Sequence, residues 1–142
     1  MVDRIEQNGV LYGYIVRSSF KSQGVHFFTS DDTPQQLALI THKNGHLISP
    51  HMHNPVNRNI VQTQEVLIVK SGRIRVDFYT RGAVYIESRI LEPWDILFLM
   101  EGGHGFEVLE SVEMVEVKQG PYAGTQDKTV FPGVSPQFIV YR

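Results

Sequence analysis

Apolar, β-branched stretches recur along this chain, and each is stopped by Gly, Pro, Asn or Asp before a helical period can develop. The run Ile74-Arg75-Val76-Asp77-Phe78-Tyr79 alternates strictly, the pattern of a strand with one face in a core and the other in water. Arg73, Arg75 and Asp77 are thereby assigned to a solvated face. Residues 9–16, 25–29, 36–42, 64–69, 84–90, 96–100, 105–110 and 112–118 read as further strands, being rich in Val, Ile, Leu, Phe and Tyr between turn residues. Asn44-Gly45 between two apolar runs predicts a hairpin that joins strand 36–42 to one carrying His51 and His53. Pro34 permits at most one short helical turn around residues 33–38. Many short strands without a helical stripe predict an all-β sandwich or barrel. The tail, 119–142, is broken by Gly and Pro but ends in apolar Phe138–Tyr141, which should pack rather than trail in solvent.

A chain of 142 residues is most simply one domain with a substantial core, and 42% hydrophobic with 20% charged residues is ordinary for a soluble globular protein. A formal net charge of −2 gives no reason to expect nucleic acid or an anionic membrane as partner. With no cysteine, disulfides, thiolate metal sites and cysteine nucleophiles are excluded. The first residues lack the apolar run of a signal peptide, and no window is long and apolar enough for a spanning helix, so a cytoplasmic location is expected.

Two histidines one residue apart, His51 and His53, follow Pro50. On a strand, residues i and i+2 face the same side about 6.6–6.8 Å apart. Both imidazoles could then reach one ion with nitrogens at about 2.0–2.2 Å. An exposed pair at a strand end is the plainer alternative. Gly45, His51 and His53 match the Gly-x5-His-x-His of the first cupin motif, and Glu65 with Gly72 match its Glu-x6-Gly. Eleven residues separate His53 from Glu65 where the motif has three or four. Loop closure makes that insertion cheap, about 1 kcal/mol. His104, after strand 96–100 and the Gly102-Gly103 turn, stands where the second cupin motif has its metal histidine, although Trp94 replaces a turn glycine and Val108 an asparagine. On these residues the chain resembles the cupin superfamily over about 36–118. More loosely, His104-Gly105-Phe106-Glu107 and Glu116 to Tyr122 resemble stand-alone cupins that accompany polysaccharide and sugar-nucleotide synthesis.

The resemblance implies a single cupin domain over 1–142, a cupin-type double-stranded β-helix (jelly-roll) barrel. Its core would span about 36–118, with the N-terminal strands and C-terminal tail packing on it or on a partner subunit. It implies a divalent transition metal (Fe, Mn, Ni or Zn) held by His51, His53, Glu65 and His104, with Gln62 or Gln64 as alternatives to Glu65. His26, His42 and His46 read as ordinary histidines. Phe106, Val108 and alternate residues of 97–100 would line an apolar cavity, and Tyr79, Tyr85, Glu107 and Arg58 are candidate polar contacts. Arg58 in the enlarged loop suits a carboxylate or phosphate. Expected function is carbohydrate metabolism: binding or conversion of a small oxygenated metabolite such as a sugar, by a metal-dependent isomerase, epimerase or oxygenase. The alternatives are a non-catalytic saccharide-binding module and a metal-free sugar-nucleotide isomerase. A homodimer is expected, paired through residues 9–16 or Phe138–Tyr141.

Overall fold

The computed structural model describes residues 1–142. Strands hold nearly half of them, no α-helix forms, and two short 3-10 turns lie at Gly124–Gln126 and Pro136–Phe138. No helix is long and apolar enough to cross a membrane. The chain forms two compact units, Lys21–Gln62 and Met1–Phe20 with Thr63–Arg142. The boundary at Gln62 falls inside the stretch expected to build one barrel core.

The larger unit is a curled antiparallel half-barrel sheet of six strands. Strands β1 (Val2–Gln7) and β2 (Val10–Val16) form a hairpin in which Gln7 faces Val10. The two turn residues, Asn8 and Gly9, both take positive φ, 53° and 76°. That is the left-handed pair a two-residue hairpin turn requires, and Asn and Gly adopt it at least cost. The Asn-Gly rule therefore holds at Asn8-Gly9. At Asn44-Gly45 it does not: no strand follows, and a backbone turn from His46 to the Lys43 carbonyl (3.2 Å) stands there instead.

Strand β2 then pairs with β7 (Ile96–Leu99), and β7 with the start of β5 (Glu65–Tyr79). The second half of β5 pairs on that same edge with β6 (Tyr85–Leu91), while its other edge is lined throughout by β8 (Gly103–Lys118). What reads in sequence as two short strands with a turn at Lys70–Arg73 is one continuous bent strand. The bend sits where the β5–β8 register shifts between Val69 and Ile74, and bulges of this kind sharpen local twist. The turn before β7 is tied down by Asp95, 2% exposed, whose carboxylate accepts from Arg17 (2.8 Å) and from the backbone of Ser18 and Glu92.

The concave face carries one core cluster. Leu67, Val69, Ile74, Val76 and Phe78 of β5 pack there with Ile5, Tyr12, Ile15, Leu91, Leu97 and Leu99. The opposite face of β5 is not solvated as its polar residues suggest: Arg75 is 9% and Asp77 6% exposed. The C-terminal tail covers them. Ser88 and Tyr141 form a parallel bridge, and the Ser88 N–H donates to the Val140 carbonyl at 2.8 Å. Beneath it, the Arg75 guanidinium forks onto both Asp77 oxygens (2.8 and 3.0 Å) and Ser88 donates to the same carboxylate. Only Arg73 stays partly in water, shared between Glu92 and Glu110.

Because β2 has neighbours on both edges and the tail is bridged to β6, the two dimer pairings expected from sequence are already occupied within the chain. The outer edges of β1 and β8 carry no further strand.

The smaller unit, Lys21–Gln62, contains one hairpin, β3 (Gly24–Phe27) with β4 (Ala38–Thr41). No helical turn forms at residues 33–38. Gln36 instead closes the connection, donating to the carbonyls of Ser30 and Thr33 (both 2.8 Å) and meeting the Thr29 hydroxyl. Residues 42–62 form no strand, so His51 and His53 stand on exposed chain outside the sheets rather than on a paired strand.

Candidate functional site

The curl of the larger unit creates its most informative contact. Glu65 pairs with Lys118 at one end of the β5–β8 ladder, and Phe78 pairs with His104 at the other. Thirteen residue steps of straight strand would hold those ends about 40 Å apart. Yet the Glu65 carboxylate and the His104 imidazole meet at 3.4 Å. Only a ladder that bends back across its own concave face can do this. Both side chains are half-buried there, 17% and 31% exposed.

Hydrogen bonding to His104 is the main influence that holds the Glu65 carboxyl below the usual carboxylate range. Burial opposes it, and the electrostatic influence of His104, Lys118 and Lys128 adds to it. Lys118 places its ammonium 4.0 Å from Glu65 and 3.2 Å from Glu116. Neither lysine stands out in sequence. Lys118 precedes a Gln-Gly-Pro break like any strand-end residue, and only the cross-strand register puts it opposite Glu65.

In the smaller unit, His51 and His53 lie with ring centroids 5.6 Å apart at 73°. Two imidazoles on one tetrahedral ion hold their centroids about 5 Å apart, so the separation is near that of a shared ion. The Nδ1 of His51 lies 2.8 Å from the Ser49 carbonyl. A carbonyl can only accept, so Nδ1 carries the proton and the Nε2 lone pair is left for a ligand; metal-binding histidines are commonly oriented this way. His42 and His46, by contrast, stack face to face at 3.7 Å and 14°. Ring-plane lone pairs of stacked imidazoles cannot converge on one ion, so this pair is not a chelate.

The expected ligand set is thus present as two pairs, Glu65 with His104 and His51 with His53. No group of three or more His, Asp or Glu side chains is gathered. Of the carboxylate and its two amide alternatives, Glu65 is the one that meets His104. Gln64 is buried, with its amide oxygen unpartnered and its backbone N–H held by Gln119 at 2.6 Å. Arg58 is exposed in its loop. Phe106 and Val108 share the His104 side of β8, being paired with Val76 and Ile74 of the core, and the Phe106 ring sits 5.4 Å from the imidazole. The other candidates are committed elsewhere. The Tyr79 hydroxyl accepts from the Val134 backbone at 2.9 Å, Tyr85 binds Ser88 and Val140, and Glu107 pairs with Arg75.

The donor chemistry fits a divalent ion at Glu65–His104. Two donors each about 2.1 Å from a tetrahedral ion lie about 3.4 Å from one another, and 3.4 Å is the separation found. Compared with protein-family models, curated proteins and solved structures, the chain matches none of them.

Proposed function

We propose that the chain is a small metal-binding cupin of carbohydrate metabolism, with His51, His53, Glu65 and His104 as ligands of Fe, Mn, Ni or Zn. The observation that carries this reading is the meeting of Glu65 and His104 at 3.4 Å across the curl of one sheet. Two residues 39 positions apart, each matched independently to a cupin motif, are brought to one spot. The jelly-roll barrel belongs to the same proposal; the half-barrel and the bend of β5 support it.

When bound, the ion would supply Lewis-acid polarisation of a carbonyl or hydroxyl, or a site for dioxygen. The chain's own groups do the rest. Glu65 brings a charge that offsets the ion, and His51 presents a set tautomer. Phe106 offers an apolar wall beside His104, against which the C–H face of a sugar ring can lie. Arg58, in the loop between the two ligand pairs in sequence, is the proposed substrate contact. No residue stands out as a dedicated general base, so a saccharide-binding module without turnover is the second reading. The proposal includes a cytoplasmic setting.

Metal analysis of protein purified without added metal is expected to give close to one equivalent, and His51→Ala or His104→Ala to lose most of it. Less than about a tenth of an equivalent in the parent, unchanged by His51→Ala, would refute the metal site. Product analysis of the metal-loaded protein with a sugar panel under air then separates the readings. Thermal stabilisation with turnover marks the enzyme; stabilisation without it marks the binder.

The proposal includes a homodimer, built on a free outer edge, β1 or β8. Strand β8 exposes Val115 and Val117 on a sixteen-residue strand with one open edge, the kind of feature proteins cover. A solution mass of two chains at micromolar concentration is expected, and a monomer mass would exclude it.

A further inference from the structure

We infer that the metabolite taken at the Glu65–His104 pair is an anion, a sugar acid or sugar phosphate rather than a neutral sugar, and that Lys118 is the residue that selects it. The inference rests on the metal-site reading and narrows it to a substrate class.

The argument is a balance of charge around one half-buried spot. Lys118 lies 4.0 Å from one Glu65 oxygen, while His104 meets the other at 3.4 Å. Lys118 also reaches Glu116 at 3.2 Å. Two carboxylates (Glu65, Glu116) and one ammonium group (Lys118) leave a formal charge of minus one. A divalent ion reverses that to plus one.

Binding the ion also withdraws Glu65 from Lys118, since the carboxylate charge is then shared with the metal. Lys118 keeps Glu116, itself 46% exposed at its side chain and so well screened. A compact ammonium on a flexible stem is suited to a carboxylate or phosphate oxygen arriving beside the ion. The order of events follows: anion affinity depends on prior metal binding, because without the ion the spot is net negative and already paired. A neutral sugar has hydroxyls for the Lys118 ammonium but no charge to pair with it.

The test uses the full chain loaded with Mn2+ and three probes: glucose, glucuronate and glucose 6-phosphate. Titration calorimetry should show one of the two anions binding at least about tenfold more tightly than glucose, with affinity falling as salt is raised from 50 to 300 mM. Without metal, that preference should vanish. Lys118→Met should lose about tenfold for the anion and leave glucose unchanged, and Lys118→Arg should restore most of the loss. Equal affinity for glucose and both anions, no anion binding at millimolar concentration, or anion affinity unaltered in Lys118→Met would each overturn the inference. Metal content measured on the same samples keeps the two failures apart. A parent protein without metal fails the site itself, whereas full metal with no anion preference fails only the substrate class.

Discussion

Gly72→Ala is expected to destabilise the protein by roughly 3 kcal/mol, a sum of two effects. Gly72 sits at φ +78°, where a left-handed alanine costs about 1–2 kcal/mol. A Cβ there would also lie 2.0 Å from the Ser111 carbonyl oxygen and under 3 Å from Val112 Cα. Both are backbone atoms of the paired strand, so the clash is relieved only by moving β8 off the bend of β5, and overpacking of this kind adds about 1–3 kcal/mol. Gly9 separates the two effects, having a similar φ of +76° with nothing within 4 Å of an added Cβ. Gly9→Ala should therefore cost only the conformational part, about 1 kcal/mol. Denaturant midpoints of the two variants, at unchanged slope, measure the difference directly. Equal losses in both would mean that the contact of Gly72 with β8 contributes nothing. Because that bend brings Glu65 to His104, Gly72→Ala should also weaken metal retention, whereas Gly9→Ala should not.

Asp77→Ala is expected to cost about 3 kcal/mol by a different route. Asp77 accepts both arms of the Arg75 guanidinium and the Ser88 hydroxyl under the C-terminal tail. Those bonds raise the Arg75 pKa above its ordinary value, more than offsetting the lowering by burial. Removing the carboxylate leaves a buried cation with Glu107 and Tyr141 as its remaining partners. Breaking one side of a buried pair costs about 3–5 kcal/mol, and the lower end applies because Glu107 is half exposed and still present. The double variant Arg75→Met with Asp77→Leu should recover most of that loss, since two apolar side chains need no partner. Urea unfolding of the two variants decides this. A double variant as unstable as Asp77→Ala would show that the polar pair itself is required to seat the tail.

How far the chain could be read in advance depended on the range of the interaction involved. Seven of the eight strands were legible because each is a local β-branched run between turn residues. Strand β1 was missed, although Asn8-Gly9 carries the same hairpin signal that was credited to Asn44-Gly45. The difference is the flank: Asn8-Gly9 joins strands that pair, while after Gly45 the chain reaches Pro50 and Pro55 and forms no strand. Arg75 and Asp77 were assigned to water because alternation reports that two faces differ, and cannot report that a tail some sixty residues later covers the polar one. The motif reaches Glu65 only across eleven residues and leaves Gln62 and Gln64 beside it, whereas the structure brings Glu65 to His104.

The sequence by itself determined the all-β class, most of the strand positions and the short roll of residues proposed to hold an ion. Each of these follows from the steric and hydrogen-bonding preferences of neighbouring residues. Only the tertiary structure decided that β5 and β8 are single bent strands, that their ladder curls back so that Glu65 meets His104, and that Lys118 stands beside them. Those outcomes rest on cross-strand register and on the bulges around Gly72, which pair residues up to fifty-three positions apart. No local preference encodes that distance; it is settled when the apolar faces of Leu67, Val69, Ile74, Val76 and Phe78 close on one core.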